Sequence, residues 1–211
     1  MMINYSQNNE QLHIIRLLKE KTNGVFLDIG SNDGITLSNT YALAKYYGWV
    51  GLLVEASPKA YDRLLQTYGL AEFNNREFDF QCTAIGKHDG RIPFYESGEH
   101  LRKGDVGLLS TSMKEELKRW HDMEFEEIEV PVTTVKTMLE RSRHSKFDLL
   151  SLDVEGAELD ILPQIDFAAL QIKVACIEWN SKHKEAYNAI MLPQGYHLVH
   201  SNAENLIYVK L

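Results

Sequence analysis

The chain has 211 residues, 44% hydrophobic and 25% charged, with a formal net charge of -8 and two cysteines. That length fits one globular domain, and the composition argues against disorder. The acidic balance argues against general nucleic-acid binding, which needs a basic surface facing phosphates, and two cysteines are too few for a disulfide scaffold.

The opening residues Met1–Leu12 are polar, with no basic-then-apolar leader pattern, and no apolar run approaches the ~20 residues of a membrane span. The expectation is a cytoplasmic protein with one domain over residues 1–211. In Glu10–Lys21, Leu12, Ile15, Leu17 and Leu18 are spaced as on an amphipathic helix. Val25–Ile29 is a short apolar run without polar alternation, as expected for a strand buried on both faces. Thr40–Tyr47 reads as a helix stopped by Gly48, with Ser38 as a candidate cap. Trp49–Glu55 is a second strand, Lys59–Tyr68 a helix following Pro58, and Phe78–Ile85 a third strand. Phe147–Asp153 and Ile172–Glu178 are two more strands, followed by helical stretches over Gly156–Ile165 and Lys184–Leu192.

Strands alternating with helices predict a doubly wound α/β sheet. The final runs, Tyr196–His200 and Leu206–Leu211, are joined by too few residues for a parallel crossover, so they are expected to pair antiparallel. Between these elements, Lys87–Glu129 breaks the rhythm. It contains a strand candidate, Ile92–Tyr95, and a helix candidate, Ser112–His121, and reads either as a substrate-binding insertion or as a surface elaboration.

The first strand runs into Asp28-Ile29-Gly30-Ser31-Asn32-Asp33-Gly34. Ligands in open α/β sheets bind outside the carboxyl ends of the strands, and glycines there let backbone N–H groups approach them. Glu55 ends the second strand about 20 residues on, where an acid takes ribose hydroxyls. The glycine spacing and the acidic Asp33 suit a pyrophosphate poorly, whereas a cationic sulfonium cofactor with a ribose suits these acids. Asp28 would accept from its ammonium group.

These motifs resemble the FkbM-type methyltransferases, a branch of the class I S-adenosylmethionine-dependent enzymes. The resemblance runs through Ser6-Gln7, Phe26–Gly34, Ser38-Asn39-Thr40, Gly48–Gly51, Val54–Pro58, Ala84-Ile85-Gly86 and Val130–Thr134, and is most specific over Asp148–Glu158. It implies a Rossmann-like seven-strand sheet of order 3-2-1-4-5-7-6 with the last strand antiparallel. It also implies S-adenosyl-L-methionine held by Asp28, Gly30 and Gly34, with Glu55 on the ribose and Thr83 and Ala84 beside the adenine. Ser31, Asn32, Ser38, Asn39, Ala56 and Asp153 complete the candidate cofactor set. Members O-methylate hydroxyls, often of sugars, so the expected partner is a small-molecule or glycan hydroxyl.

At the far rim Asp153 is the candidate base, with Glu155 beside it and Glu158 either in the site or favouring a helix N-terminus. Glu178 and His183 could join Asp153 around Mg²⁺ or Mn²⁺; the plainer alternative, Glu178 bonding loop backbone and His183 exposed, is preferred, with His183 kept as a candidate base. Trp120 with His121, and Tyr95 with His100, are candidates to stack on a sugar or to pack in the core. Gly156 would keep its turn open to a ligand. Arg141, Arg143, His144 and Lys146 read as a solvated helix end. Cys82 and Cys176 lie in non-adjacent strands and are expected as buried thiols. The competing functional readings are an NAD-linked oxidoreductase and a non-catalytic nucleoside-binding domain of the same fold.

Overall fold

The computed structural model describes residues 2–211. Its central sheet holds seven strands: β1 (Val25–Ile29), β2 (Val50–Glu55), β3 (Asp79–Cys82), β7 (Leu149–Leu152), β8 (Val174–Glu178), β9 (Tyr196–Ser201) and β10 (Asn205–Lys210). They lie in the order β3-β2-β1-β7-β8-β10-β9, parallel except for β10, which runs antiparallel to both neighbours. This is the doubly wound order expected, closed by the expected hairpin.

The helices divide between the two faces, which explains why the strands lack polar alternation. On one face α1 (Glu10–Leu17), α2 (Tyr41–Tyr47) and α3 (Pro58–Tyr68) bury Ile14, Tyr41 and Leu64 against Phe26, Leu53 and Leu149. On the other, α4 (Val135–Glu140), α5 (Glu158–Ile161), α6 (Phe167–Leu170) and α7 (Lys184–Met191) bury Met138, Ile161, Phe167 and Tyr187 against Leu27, Leu52 and Leu150. Trp49 is fully buried and its indole N–H donates to the Lys21 carbonyl at 2.6 Å. Among the described residues no helix is long and apolar enough to cross a membrane.

Several elements differ from their sequence expectation. The first helix ends at Leu17, because Lys19 and Glu20 adopt left-handed φ values. The third strand is broken at Thr83. Its first part pairs with β2, while β4 (Ala84–Ile85) passes to a second sheet with β5 (Gly90–Glu96) and β6 (Glu126–Thr133) in the order β4-β6-β5. The Thr83 N–H still donates to the Glu55 carbonyl at 3.0 Å, whereas its hydroxyl donates to the Pro131 carbonyl at 3.1 Å, so one residue serves both sheets.

The helix expected over Ser112–His121 is only a 3-10 turn, Lys114–Lys118, with no buried residue. A short segment without an apolar face to bury lacks the packing that sustains a helix. The Gly156–Ile165 stretch becomes α5 and a 3-10 turn at Leu162–Gln164, because Gly156 has φ +114° and Pro163 cannot continue the ladder. Both cysteines are free, Cys176 buried and Cys82 only half-buried.

Residues 87–129 form the β5–β6 hairpin arms and a long loop that folds back over the carboxyl ends of β1, β2 and β7. Three contacts pin it there. Arg63 of α3 donates to the Val106 carbonyl at 3.0 Å, Thr111 Oγ1 donates to the Glu155 carbonyl at 2.8 Å, and Lys182 Nζ reaches Glu116 at 2.8 Å.

Candidate active site

At the carboxyl ends of β1, β2, β7 and β8 lies a cleft of about 260 Å³. Its floor is the turn after β1. Gly30 has φ +87°, and a Cβ there would overlap the carbonyl oxygen of Asp153, so only glycine lets the β1 and β7 turns close on each other. Gly30 and Ser31 both donate to the Val54 carbonyl, at 2.9 and 3.1 Å, while Asp153 N–H donates to the Ile29 carbonyl at 2.9 Å. Asp33 accepts from the Ile35 and Thr36 amides and from the Thr36 hydroxyl, which completes the turn without an α-helix; α2 starts only at Tyr41.

One half of the cleft is built on Asp28 and Glu55. Thr40 donates its hydroxyl to Asp28 at 2.6 Å. Burial raises the Asp28 carboxyl to about 6, against the pull of that bond. Glu55 accepts from the Ser57 amide at 2.7 Å and from the Asn32 amide at 2.8 Å; burial still raises it to about 7. A carboxylate offers about four lone-pair sites, so two remain for a diol. Both polar atoms of the buried Asn32 side chain lack a partner, and a Cβ on Gly107 would lie 3.4 Å from its Oδ1. A buried amide left unpaired costs free energy, and a polar ligand in the cleft would recover it. Ser31, Ser38, Asn39, Ala56, Thr83 and Ala84 also line this half.

The other half is acidic. Oxygens of Asp153, Glu155 and Glu178 lie within 4.8 Å of one another. Burial, then the neighbouring Glu158 charge, raises Asp153 to about 7. Burial and the Asp153 charge raise both Glu155 and Glu178 well above the usual carboxylate range. Glu155 Oε2 and Glu178 Oε2 have no hydrogen-bond partner. Glu158 is different: it accepts from the Val154 and Gly156 amides at 2.9 and 3.2 Å and holds the loop that presents Asp153.

Four expectations are corrected by this geometry. Gly34 does not line the cleft; its φ is +78°, and a Cβ there would meet Leu64 and Tyr68, so it packs the turn against α3. His183 is exposed, as preferred, but it is ruled out as a base or third metal ligand, since it sits at the start of α7 outside both the cleft and the acidic group, where Glu155 makes the third corner. Glu178 does not bond loop backbone. Gly156 does not open onto a ligand, since a Cβ there would meet the Glu116 side chain of the overlying loop.

Of the aromatic candidates, Trp120 lines the cleft with an unpaired indole N–H. His100 is bound to Lys59 and Glu126, His121 is exposed beside Asp122, and Tyr95 faces away from the cleft. Arg141, Arg143 and Lys146 are exposed, as expected of a solvated helix end, with Arg143 paired to Asp79 at 2.6 Å and His144 bonded to the Glu77 carbonyl. The cleft also takes Gln7, Leu37, Ser110 and Arg119, which sequence reasoning did not select. Leu37 carried a usable signal only in retrospect: it is an apolar side chain in a polar turn, 42% exposed, with φ 54°.

No curated protein sequence matches this chain at a significant level. Among solved structures, the methyltransferase FkbM from Methylobacillus flagellatus KT superposes with a TM-score of 0.53 at 13% identity, over 89% of this chain and 43% of its own. The METTL16 methyltransferase domain gives 0.52 at 10% identity, over 95% of this chain and 65% of its own. The yhhF protein of Escherichia coli gives 0.52 at 10% identity, over 99% of this chain and 88% of its own. This chain therefore spans less than two thirds of the first two, and at such identities the likeness is one of fold. The sequence itself goes further: a model of the FkbM methyltransferase domain matches residues 28–198, from the Asp28 carboxylate to the edge strand β9, and the chain belongs to that family.

Proposed function

We propose that the protein is an S-adenosylmethionine-dependent O-methyltransferase acting on a hydroxyl of a sugar, in a glycan or a natural product. The observation that carries this reading is the division of one cleft into two adjoining acidic halves. One is suited to a cationic nucleoside and the other to a hydroxyl proton. The cofactor, when bound, supplies an electrophilic methyl group on a sulfonium centre.

In this reading Glu55 accepts from two ribose hydroxyls, using the lone pairs its backbone donors leave free. Asp28 faces the ammonium group, and Asn32 engages polar atoms of the nucleoside. The backbone at Gly30 would hold the methionyl chain. Thr83 and Ala84, where the chain leaves the main sheet, flank the base. An anionic pyrophosphate is disfavoured here, because Asp33 occupies the turn and no helix N-terminus faces it. That weighs against the NAD-linked alternative.

The acceptor half is assigned to Asp153 and Glu155, under the loop that carries Trp120. The bound cofactor would supply the methyl group, the O–C bond to the acceptor forming as the S–C bond breaks and its electron pair stays on sulfur. The hydroxyl proton passes to Asp153, whose carboxyl, raised to about 7, is matched to proton transfer near neutrality. Most of the acceleration would come from alignment of the oxygen with the methyl group. Residues 87–129 would set the acceptor. A transfer screen with labelled S-adenosylmethionine over glycans, sugar nucleotides and hydroxylated natural products tests the reading. Label is expected on oxygen of at least one sugar-bearing acceptor, and Asp153→Asn is expected to abolish it. Label confined to nitrogen or carbon acceptors would overturn the O-methyl assignment.

A further inference from the structure

The cleft holds more carboxyl groups than one cationic cofactor can pair with. Six carboxylates line the cleft (Asp28, Glu55, Asp153, Glu155, Glu178 and Glu204), against Arg119 as the one basic side chain among the described lining residues. A sulfonium amino acid brings a net charge of about +1, and Asp28 and Glu55 already face it in the reading above. Asp153, Glu155 and Glu178 are left over. Among the described residues no lysine, arginine or histidine nitrogen comes within 4.0 Å of any of the three. Arg119 is turned instead to Asn180 at 3.0 Å and Glu116 at 4.0 Å.

A second acidic group in the molecule marks the contrast. Glu96, His100 and Glu126 also bring ligand atoms within 4.8 Å of one another. Their centre, however, is filled by Lys59 Nζ, at 2.8 Å from Glu96, 2.9 Å from Glu126 and 2.9 Å from His100. The cleft group has no such built-in cation. Its deepest member, Glu178, is only 5% exposed, yet its Oε2 has no donor, and the same is true of Glu155 Oε2. Buried carboxylate oxygens are otherwise paired or bound to metal.

The geometry points to a divalent-cation site, for Mg²⁺ or Mn²⁺, formed by one oxygen each of Asp153, Glu155 and Glu178. Hard oxygen donors suit these ions, which keep several further positions for water or substrate. An acceptor hydroxyl taking one of those positions would become more acidic. The second oxygen of Asp153 stays available for its proton. The site rests on the reading above for its purpose but not for its existence.

Mn²⁺ alone, added to the apo-protein and followed by the loss of free-ion EPR signal, tests the site. One saturable ion per chain is expected. Glu178→Gln and Glu155→Gln should each weaken it by at least about tenfold, whereas Glu126→Gln leaves it unchanged. Thermal melts report whether each variant is folded, and two variants guard against the loss of one. The absence of saturable binding, or wild-type affinity in both cleft variants, overturns the site, as does loss confined to Glu126→Gln. S-adenosylhomocysteine calorimetry without metal runs alongside: failure there counts against the cofactor reading, whatever Mn²⁺ does.

Discussion

Gly30 and Asp153 come from turns more than a hundred residues apart in sequence, yet they meet backbone to backbone, with no room for a Cβ between them. This contact joins the two halves of the cleft. Gly30→Ala places a side chain against a carbonyl at a φ of +87°, which costs about 1–3 kcal/mol in strain before any overlap is counted. The variant should lose several degrees in Tm and bind S-adenosylhomocysteine at least ~100-fold more weakly. Unchanged affinity, measured by calorimetry, would mean that the two turns are not coupled.

Stability should fall with rising pH in the absence of ligand. Asp28, Glu55 and Asp153 are raised in the folded state, to about 6, 7 and 7. Unfolded, they release their protons near pH 4. Between these values the folded chain holds more protons, so stability declines as pH rises from ~4 through ~7, and Glu155 and Glu178, raised further still, add to the same decline. Glu10, Asp79 and Asp148 are lowered in the folded state and oppose this only below about pH 4. Urea unfolding at pH 5 and pH 8 checks the sign: the midpoint should be higher at pH 5. A bound cation should narrow the difference.

A Trp120 variant is expected to distinguish acceptor binding from cofactor binding. Its ring lies under the Arg119 guanidinium at 4.7 Å from the centroid, and its indole N–H faces the cleft unpaired. Trp120→Ala should raise the acceptor KM about tenfold or more and leave S-adenosylhomocysteine affinity within about twofold, since stacking and one hydrogen bond contribute of the order of 1–2 kcal/mol. Steady-state kinetics with a competent acceptor reads both.

Asp148 gives the opposite pattern. It opens the most family-specific stretch of the sequence, yet it stands at the end of β7 away from the cleft, where Lys21 and Lys173 reach it at 2.6 and 2.7 Å. Both lysines are partly exposed, so solvent screening keeps the pairing modest, but the Val25 amide also bonds the carboxylate. Asp148→Ala should cost about 1–2 kcal/mol in urea unfolding, with cofactor affinity unchanged.

The strands of the main sheet were legible because they are buried on both faces and read as uninterrupted apolar runs; Val25–Ile29 is the clearest. The turn after β1 and Glu55 were legible as neighbours because both stand at the carboxyl ends of adjacent strands, where they line one cleft. What the sequence did not disclose depended on distant partners. Thr83 breaks its strand because Pro131 offers a second acceptor. Lys114–Lys118 has the composition of a helix but no surface to bury. His183 stays exposed at the start of α7, whereas Glu155, on the turn after β7, lines the cleft. Gln7 and Leu37 meet at the cleft only because a backbone bridge ties Ser6 to Leu37.

The cleft beneath residues 87–129 is proposed to hold S-adenosylmethionine through Glu55 and its neighbours. Calorimetric titration with S-adenosylhomocysteine tests it most directly. The wild-type protein should bind one equivalent, and Glu55→Gln should weaken binding about 10- to 100-fold, as expected when charged hydrogen bonds of roughly 1.5–3 kcal/mol are lost. No binding by folded wild-type protein, or equal binding by Glu55→Gln, would contradict the account.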